Sequence, residues 1–508
     1  MGPRYRHRGG VRVDRALQLP LYHCLPRRGK PRLAAGSAQA RVPVYSHGRE
    51  VAGPAGRFSP VAILCPVAMS TPTIVWFRDD LRLADNAALT WATERGPVVG
   101  LYVHETVGRG IGRAAAWWLR HSLDALRESL PAPLIELAGD PREIVPRLAR
   151  ELGAAVTWNR RYHLTDIDAE VKEATGAVSH PGYLLTEPWD VRATPYRVFT
   201  PFFNAARSVL LDAPPTPLPV PHITPADIGP ATVYAPAEPA WAASLAQHNT
   251  PGEGAAREQL KRFIAASADY DNNALDGVTS GLSPHLRFGE ISPAEVWLAA
   301  VDAGAWAFAR QLLWRDFAWH RYYHVPDMAT KNVRRKFDRF DWEWTPNAVP
   351  GSTDAAFAHA EMDPGAQHMK ELAAWQSGRT GIPLVDAGMR ELWATGRMHN
   401  RVRMVSGSWL TKNLGIHWRH GEEWFWDTLV DADAASNAFN WQWVAGSGDD
   451  AAPYFRIFNP LTQAEKFDPH GSYVARWLPD TADYSEPMAD VKQSRLRALV
   501  AYDDIKNG

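Results

Sequence analysis

Short apolar runs separated by amphipathic stretches begin at Thr73. The runs are residues 74–77, 98–103, 133–137, 154–158 and 183–185. Between them, apolar residues three and four apart predict helices near 86–95, 113–130, 141–152 and 165–174. Strand and helix alternating at this spacing predict an α/β domain over 71–200, built on a doubly wound parallel sheet. Such sheets bind ligands beyond the carboxyl ends of their strands. Past residue 254 the pattern changes. Segments 254–267, 293–302, 306–323, 384–395, 401–413 and 421–430 keep the helical spacing, and strand-like alternation nearly disappears. An all-α domain over 254–508 is expected. Residues 214–251 hold ten prolines and no period, so 201–253 reads as an inter-domain linker.

Composition changes this picture at the N-terminus. Residues 1–68 carry twelve Lys or Arg against two acids, Asp14 and Glu50. Residues 1–70 therefore read as a disordered extension, either an organellar transit peptide or an upstream mis-start. Met69, just ahead of the first strand, favours the mis-start. Two cysteines, Cys24 and Cys65, make neither a structural zinc site nor a disulfide framework, so the chain reads as intracellular, that is, cytoplasmic. No apolar run approaches the roughly 20 residues that span a bilayer, and a soluble, monomeric protein is expected. A net charge of −1 gives no global attraction to a polyanion, so binding to nucleic acid would need basic groups gathered on one surface. The 22 tryptophans offer wide stacking faces and easily oxidised rings, suited to a flat cofactor and flat bases, although more than half serve as core in the bland reading.

No P-loop, HExxH or Gly-x-Ser-x-Gly motif is present. Gly108, Gly110 and Gly112 follow the second strand without completing a dinucleotide fingerprint, and a flexible turn is the better reading. Thr279 to Pro284 gathers small hydroxyl residues ahead of a helix, either an ordinary N-cap or a phosphate cradle. His399-Asn400-Arg401-Val402-Arg403-Met404 sets two arginines on different sides of a helix. Asp431, Asp433, Asn437, Trp441 and Trp443 fall within thirteen residues. The acids suit a metal, as in DxD transferases, or the hydroxyls and ring N–H groups of a cofactor. Indoles interleaved with them favour an aromatic cofactor.

The run Trp76-Phe77-Arg78-Asp79-Asp80-Leu81-Arg82-Leu83-Ala84-Asp85-Asn86 resembles the opening signature of photolyases and cryptochromes. Gly281–Pro293, Gln311–Phe317, Thr380–Met404, Trp418–Phe425 and Asp431–Leu478 resemble later family motifs in order. The pattern is most similar to class I enzymes acting on cyclobutane pyrimidine dimers. This resemblance implies light-driven DNA repair, with an α/β domain for an antenna chromophore and a helical domain holding FAD, active as FADH⁻. The implied FAD contacts are Tyr270, Thr279, Ser280, Gly281, Leu282, Ser283, Gln311, Arg315, Arg403, Asp431, Ala432, Asp433 and Asn437. UV-damaged DNA is the implied partner, its lesion flipped between Trp314 and Trp443 against Asn400 and Met404, with Arg401 and Arg456 on phosphates. Asn400, Gln311 and Asn437 are the implied catalytic positions. Trp441, Trp418 and Trp342 resemble the electron-transfer tryptophans, with Trp344 an alternative outer member.

Departures from the pattern are Gln311 for a usual Glu, Ala274 for a phosphate-binding Arg, Arg397 for an aromatic, an insertion near 346–369 and a shortened C-terminal region. The antenna is left open between methenyltetrahydrofolate and 8-hydroxydeazaflavin, because Asp166 stands where a folate-binding Glu is expected. Asn400 after His399 favours cyclobutane dimers over (6-4) lesions. The rival reading is a blue-light receptor signalling through a protein partner. A metal-dependent transferase is third.

Overall fold

The computed structural model describes residues 71–507, apart from 192–194, 230, 235–237, 239, 271–273, 344–365, 451–454, 480–483 and 485. The expectations for residues 1–70, for Trp344 and for most of the 346–369 insertion lie outside the described residues.

Five parallel strands form one sheet: β1 (Thr73–Phe77), β2 (Val98–Glu105), β3 (Leu134–Gly139), β4 (Ala155–Asn159) and β5 (Val178–His180), in the order β3-β2-β1-β4-β5. Thr73 pairs with Val98 on one side and with Ala155 on the other, so β1 is central. All five of its residues are buried, as expected for a strand covered on both faces. Helices α1 (Ala87–Thr93), α2 (Arg113–Ser129), α3 (Pro141–Leu152) and α4 (Thr165–Thr175) connect the strands and cover the faces. The order reverses beside β1, and the carboxyl ends of β1, β2 and β4 open there into a cleft.

The fifth strand differs from the expectation. It lies at Val178–His180, and Tyr183–Leu185 is not a strand. Tyr183 and Leu184 are buried against the helical domain with Phe199, Phe202 and Trp319, so their apolar character serves inter-domain packing. The stretch read as a linker from residue 201 also holds most of a helix, α5 (Phe199–Asp212), which buries Phe202, Ala206 and Leu210 in that same core.

The remaining elements are helical: α6 (Glu253–Ala265), α7 (Ser283–Arg287), α8 (Pro293–Asp302), α9 (Trp306–His324), α10 (Gln367–Gln376), α11 (Pro383–Thr395) and α12 (Asn400–Ser408). Then come α13 (Trp418–Thr428), α14 (Ser436–Ala445), α15 (Pro460–Phe467), α16 (Ser472–Trp477) and α17 (Val491–Asn507). A π-helical turn at Trp409–Asn413 continues α12. Leu384, Val385, Leu392, Val402, Trp409, Trp418 and Trp441 share one core, which packs α11, α12, α13 and α14 around a central cavity. No described helix is long and apolar enough to cross a membrane.

Candidate functional site

The hydroxyl-rich run before α7 is held from three sides. Leu282 is fully buried and anchors it. Gly281 takes φ +63, a conformation that side chains disfavour, and an added Cβ would lie 3.0 Å from Gln259 Nε2. Gln259 donates to the Ser280 carbonyl at 2.7 Å, and Arg397 donates to the Gly281 carbonyl at 3.1 Å and to Asn249 Oδ1 at 2.6 Å. Arg397 thus braces the turn from α11's far end. Thr279, Ser280, Gly281 and Ser283 line a cleft of about 1400 Å³ with Tyr270, Arg403 and Asp431.

A second cavity of about 1120 Å³ adjoins the first and shares Ser280, Ser283, Gln311, Asn400, Arg403 and Asp431 with it. Arg315, Met404, Ala432, Asp433, Asn437 and Trp441 complete its wall. Arg403 pairs with Asp431 at 3.0 Å. Burial raises the Asp431 pKa, but Arg403 and Ser283 outweigh it and leave the carboxyl below the usual range, so this side of the cavity carries a fixed acceptor. Asp433 is the reverse case: burial pushes its pKa up even though it accepts from the backbone N–H groups of Ala435 and Ser436 at the start of α14. Arg315 donates to the carbonyls of Tyr183 and Leu286 at 2.7 and 3.1 Å, fixing its position from both domains.

Asn437 is the second residue of α14. Its Nδ2 donates to the Glu422 carbonyl at 2.9 Å and to Glu422 Oε1 at 2.7 Å. Both partners are acceptors, so the amide's NH2 end must face them. Its Oδ1 is therefore the end left to the cavity.

A third cleft, of about 910 Å³, shares Gln311, Arg315, Asn400 and Met404 with the second and adds Trp314 and Trp443. Gln311 and Asn400 line all three spaces. One face of Trp314 is stacked on Phe199 at 3.6 Å, and Trp443 Nε1 donates to the Asp450 carbonyl at 3.0 Å, so both indoles are braced. Arg456 borders a small neighbouring cleft that also touches Trp443. Arg401 lies over the Phe467 ring at 4.4 Å, away from these linings.

The three expected tryptophans sit at different depths: one on the wall of the second cavity, one deep in the core and one nearer the surface. Trp441 lines that cavity, and its buried Nε1–H finds no acceptor among the described residues. Trp418 is fully buried and donates to Asn332 at 2.8 Å. Trp342 is partly buried, donates to the Thr411 carbonyl at 2.9 Å, and meets His417 at 4.8 Å, which lies 5.5 Å from Trp418. Gly421 is required here: a Cβ on it would fall 2.1 Å from the Trp441 ring.

Sequence reasoning missed Glu422 and Arg109. Glu422 lies one turn beyond Trp418, within a motif to which no role for this carboxylate was attached, and only the fold brings it to Asn437. Arg109 was hidden in the glycine loop. That loop is pinned rather than flexible: Gly112 comes so close to α13 that a Cβ would lie 1.8 Å from the Trp426 carbonyl. The inter-domain cleft, about 1540 Å³, is lined by Arg78, Asp79, Glu105, Arg109, Arg161 and His163 among others. Asp166 is exposed in the first turn of α4, outside that lining.

Known proteins match both halves. The DNA photolyase family pattern covers residues 73–222, and the FAD binding domain of DNA photolyase covers 308–502. A deoxyribodipyrimidine photo-lyase of Agrobacterium fabrum is 39% identical over 86% of this chain and 98% of its own. The chain belongs to the DNA photolyase family. Within that family, cryptochrome-1 of Arabidopsis thaliana is 33% identical over 80% of this chain, which spans 63% of the cryptochrome. A crystal structure of a bacterial class III photolyase from Agrobacterium tumefaciens superposes with a TM-score of 0.78 at 38% identity, over 88% of this chain and all of that one. A class III enzyme is thus among the relatives, where the motifs led class I to be expected. The hydroxyl run precedes the matched FAD-binding domain, which supplies Gln311, Arg403, Asp431 and Asn437 to the described cavities. Their hydroxyls, arginines, unfilled indole N–H and fixed acceptor Asp431 suit a dinucleotide carrying phosphates and a flat ring. Among the described residues no cluster could hold a metal ion.

Proposed function

We propose that this protein repairs cyclobutane pyrimidine dimers in DNA, using light absorbed by bound FAD. The observation that carries this reading is the junction at Gln311 and Asn400, where a cavity suited to a flavin opens directly into an indole-lined cleft. Reduced FAD supplies an excited-state electron when bound. Thr279, Ser280 and Ser283 would hold its phosphates, with Tyr270, Gly281 and Arg403 around them and Leu282 anchoring the turn. Arg315, Asp431, Ala432, Asp433 and Asn437 would surround the ring. Arg397, fixed on the phosphate-side wall, supports a cationic lining although Ala274 stands where the family resemblance led Arg to be expected.

A dimer must leave the duplex stack to reach the junction, and a damaged base costs least to extrude. Trp314 and Trp443 would stack it, at about 1–3 kcal/mol per base. Gln311, Asn400 and Met404 would hold its edges. Trp441, Trp418 and Trp342 would carry electrons inward to restore the reduced cofactor. The inter-domain cleft would take an antenna chromophore, and the exposed position of Asp166 weighs against folate recognition through that side chain.

The second reading, a signalling photoreceptor, is supported by the cryptochrome relative. Incubating the FAD-loaded, reduced protein with a dimer-containing oligonucleotide, under blue light and in darkness, separates the two. Thymines restored only under light are expected. Equal yields in both conditions would discard repair in favour of signalling.

A further inference from the structure

Asn437 can serve a cofactor in only one orientation, and that orientation is set from the other domain. Glu422 is 1% exposed and accepts both of the amide's N–H contacts through its carbonyl and Oε1. A buried carboxylate persists only if its charge is met. Arg109 meets it: Nη1 reaches Glu422 Oε1 at 2.8 Å and Nη2 reaches Oε2 at 2.9 Å, while Nη2 also lies 2.9 Å from Glu423 Oε1. The guanidinium stacks over Trp426 at 4.1 Å, and Trp426 Nε1 donates to the Gly110 carbonyl at 2.8 Å, which locks the loop in place.

We infer that Arg109, from the α/β domain, is a positioning residue that keeps Glu422 an acceptor and so aims the Asn437 Oδ1 into the cavity. An inward-facing oxygen accepts a hydrogen bond and cannot donate one. It favours a flavin ring that carries hydrogen on its central nitrogen, the reduced form, over the oxidised form, whose nitrogen only accepts. Without Arg109, the Glu422 carboxylate loses its two-point anchor from the α/β domain and is free to turn away from the amide, which then loses its reason to keep one orientation.

The inference rests on the flavin lying beside Asn437, and its test needs no DNA. The full-length, FAD-loaded protein is titrated for its flavin midpoint potential, and air reoxidation is timed in the dark. Arg109→Met is expected to reoxidise about tenfold faster and to lower the potential by about 30 mV, the same factor for a two-electron couple. Arg109→Lys should recover part of both. Arg113→Ala removes another inter-domain ion pair, to Asp427, and should change neither.

Glu422→Met gives a test by sign. Loss of positioning lowers the potential, whereas a simple through-space charge effect raises it, because a negative charge has been removed. Wild-type values in Arg109→Met, equal changes in Arg113→Ala, or a raised potential in Glu422→Met would each overturn the inference. If Arg109→Met does not retain FAD, Arg109→Lys and Glu422→Met still decide it. A protein with these flavin responses but no dimer repair would lose the repair reading and keep this one.

Discussion

At the residue scale, the site depends on which end of each polar group is free. Asn437 offers an oxygen because two acceptors claim its nitrogen. Gln311, where the family resemblance led Glu to be expected, brings a neutral amide to the junction, so in the proposed repair it would hold a lesion by hydrogen bonds without an ionisable group. Trp441 differs from both, because the electron transfer proposed for it needs an oxidisable ring at the cavity wall rather than a hydrogen bond. Trp441→Phe removes the oxidisable indole together with the ring atoms that lie against Gly421. Light-driven reduction of oxidised flavin, followed by absorbance, is expected to fall at least tenfold, while chemically pre-reduced protein keeps its repair yield. Undiminished photoreduction would refute the assigned path.

At the scale of elements, α9 does two jobs. One face carries Gln311, Trp314 and Arg315 to the cavities. The other carries Asp316, fully buried, whose Oδ2 accepts from the Thr186 N–H at 2.9 Å and ties α9 to the loop after β5. Burial pushes its pKa up to about 7, above the ordinary 3.8. A carboxyl raised on folding binds its proton more tightly in the native chain than in the unfolded one. Its contribution to stability is therefore full below the unfolded value and is lost as pH rises through the native one. Asp316→Asn keeps an acceptor for Thr186 and removes the titration. Denaturation at several pH values should show the variant gaining on the wild type by a few kcal/mol between about pH 4 and pH 7. A difference independent of pH would show that Asp316 does not titrate in this range.

At the scale of the whole molecule, a net charge of −1 makes DNA binding a question of where the cations lie. Arg456 borders the cleft beside Trp443, at the rim of the proposed lesion site. If it meets a phosphate, Arg456→Ala should weaken binding to every sequence and reduce the slope of log affinity against log salt by about 1. Fluorescence anisotropy across a salt series measures this, and an unchanged slope would remove Arg456 from the interface. The two halves meet through close backbone approach at Gly112 and paired charges at Arg109 and Arg113. The flavin's redox preference is thus expected to depend on an intact inter-domain contact.

The sequence alone determined the parallel sheet and the helical half, because hydrophobic period is a property of neighbouring residues, and the residues expected around a flavin came from the resemblance of its motifs to a known family. The regular runs at 74–77 and 293–302 needed no tertiary information. Tyr183–Leu185 misled because an apolar run reports burial, and only the docked helical domain decided that loop residues would be buried there. The hydroxyl run at 279–283 left its N-cap and phosphate readings balanced until Arg397 and Gln259 were seen to brace it beside a cavity. Tertiary structure alone joined Arg109, Glu422 and Asn437, residues more than 300 positions apart at their extremes. A carboxylate's charge and an amide's orientation are set by what surrounds them in space, and no pattern along the chain records that.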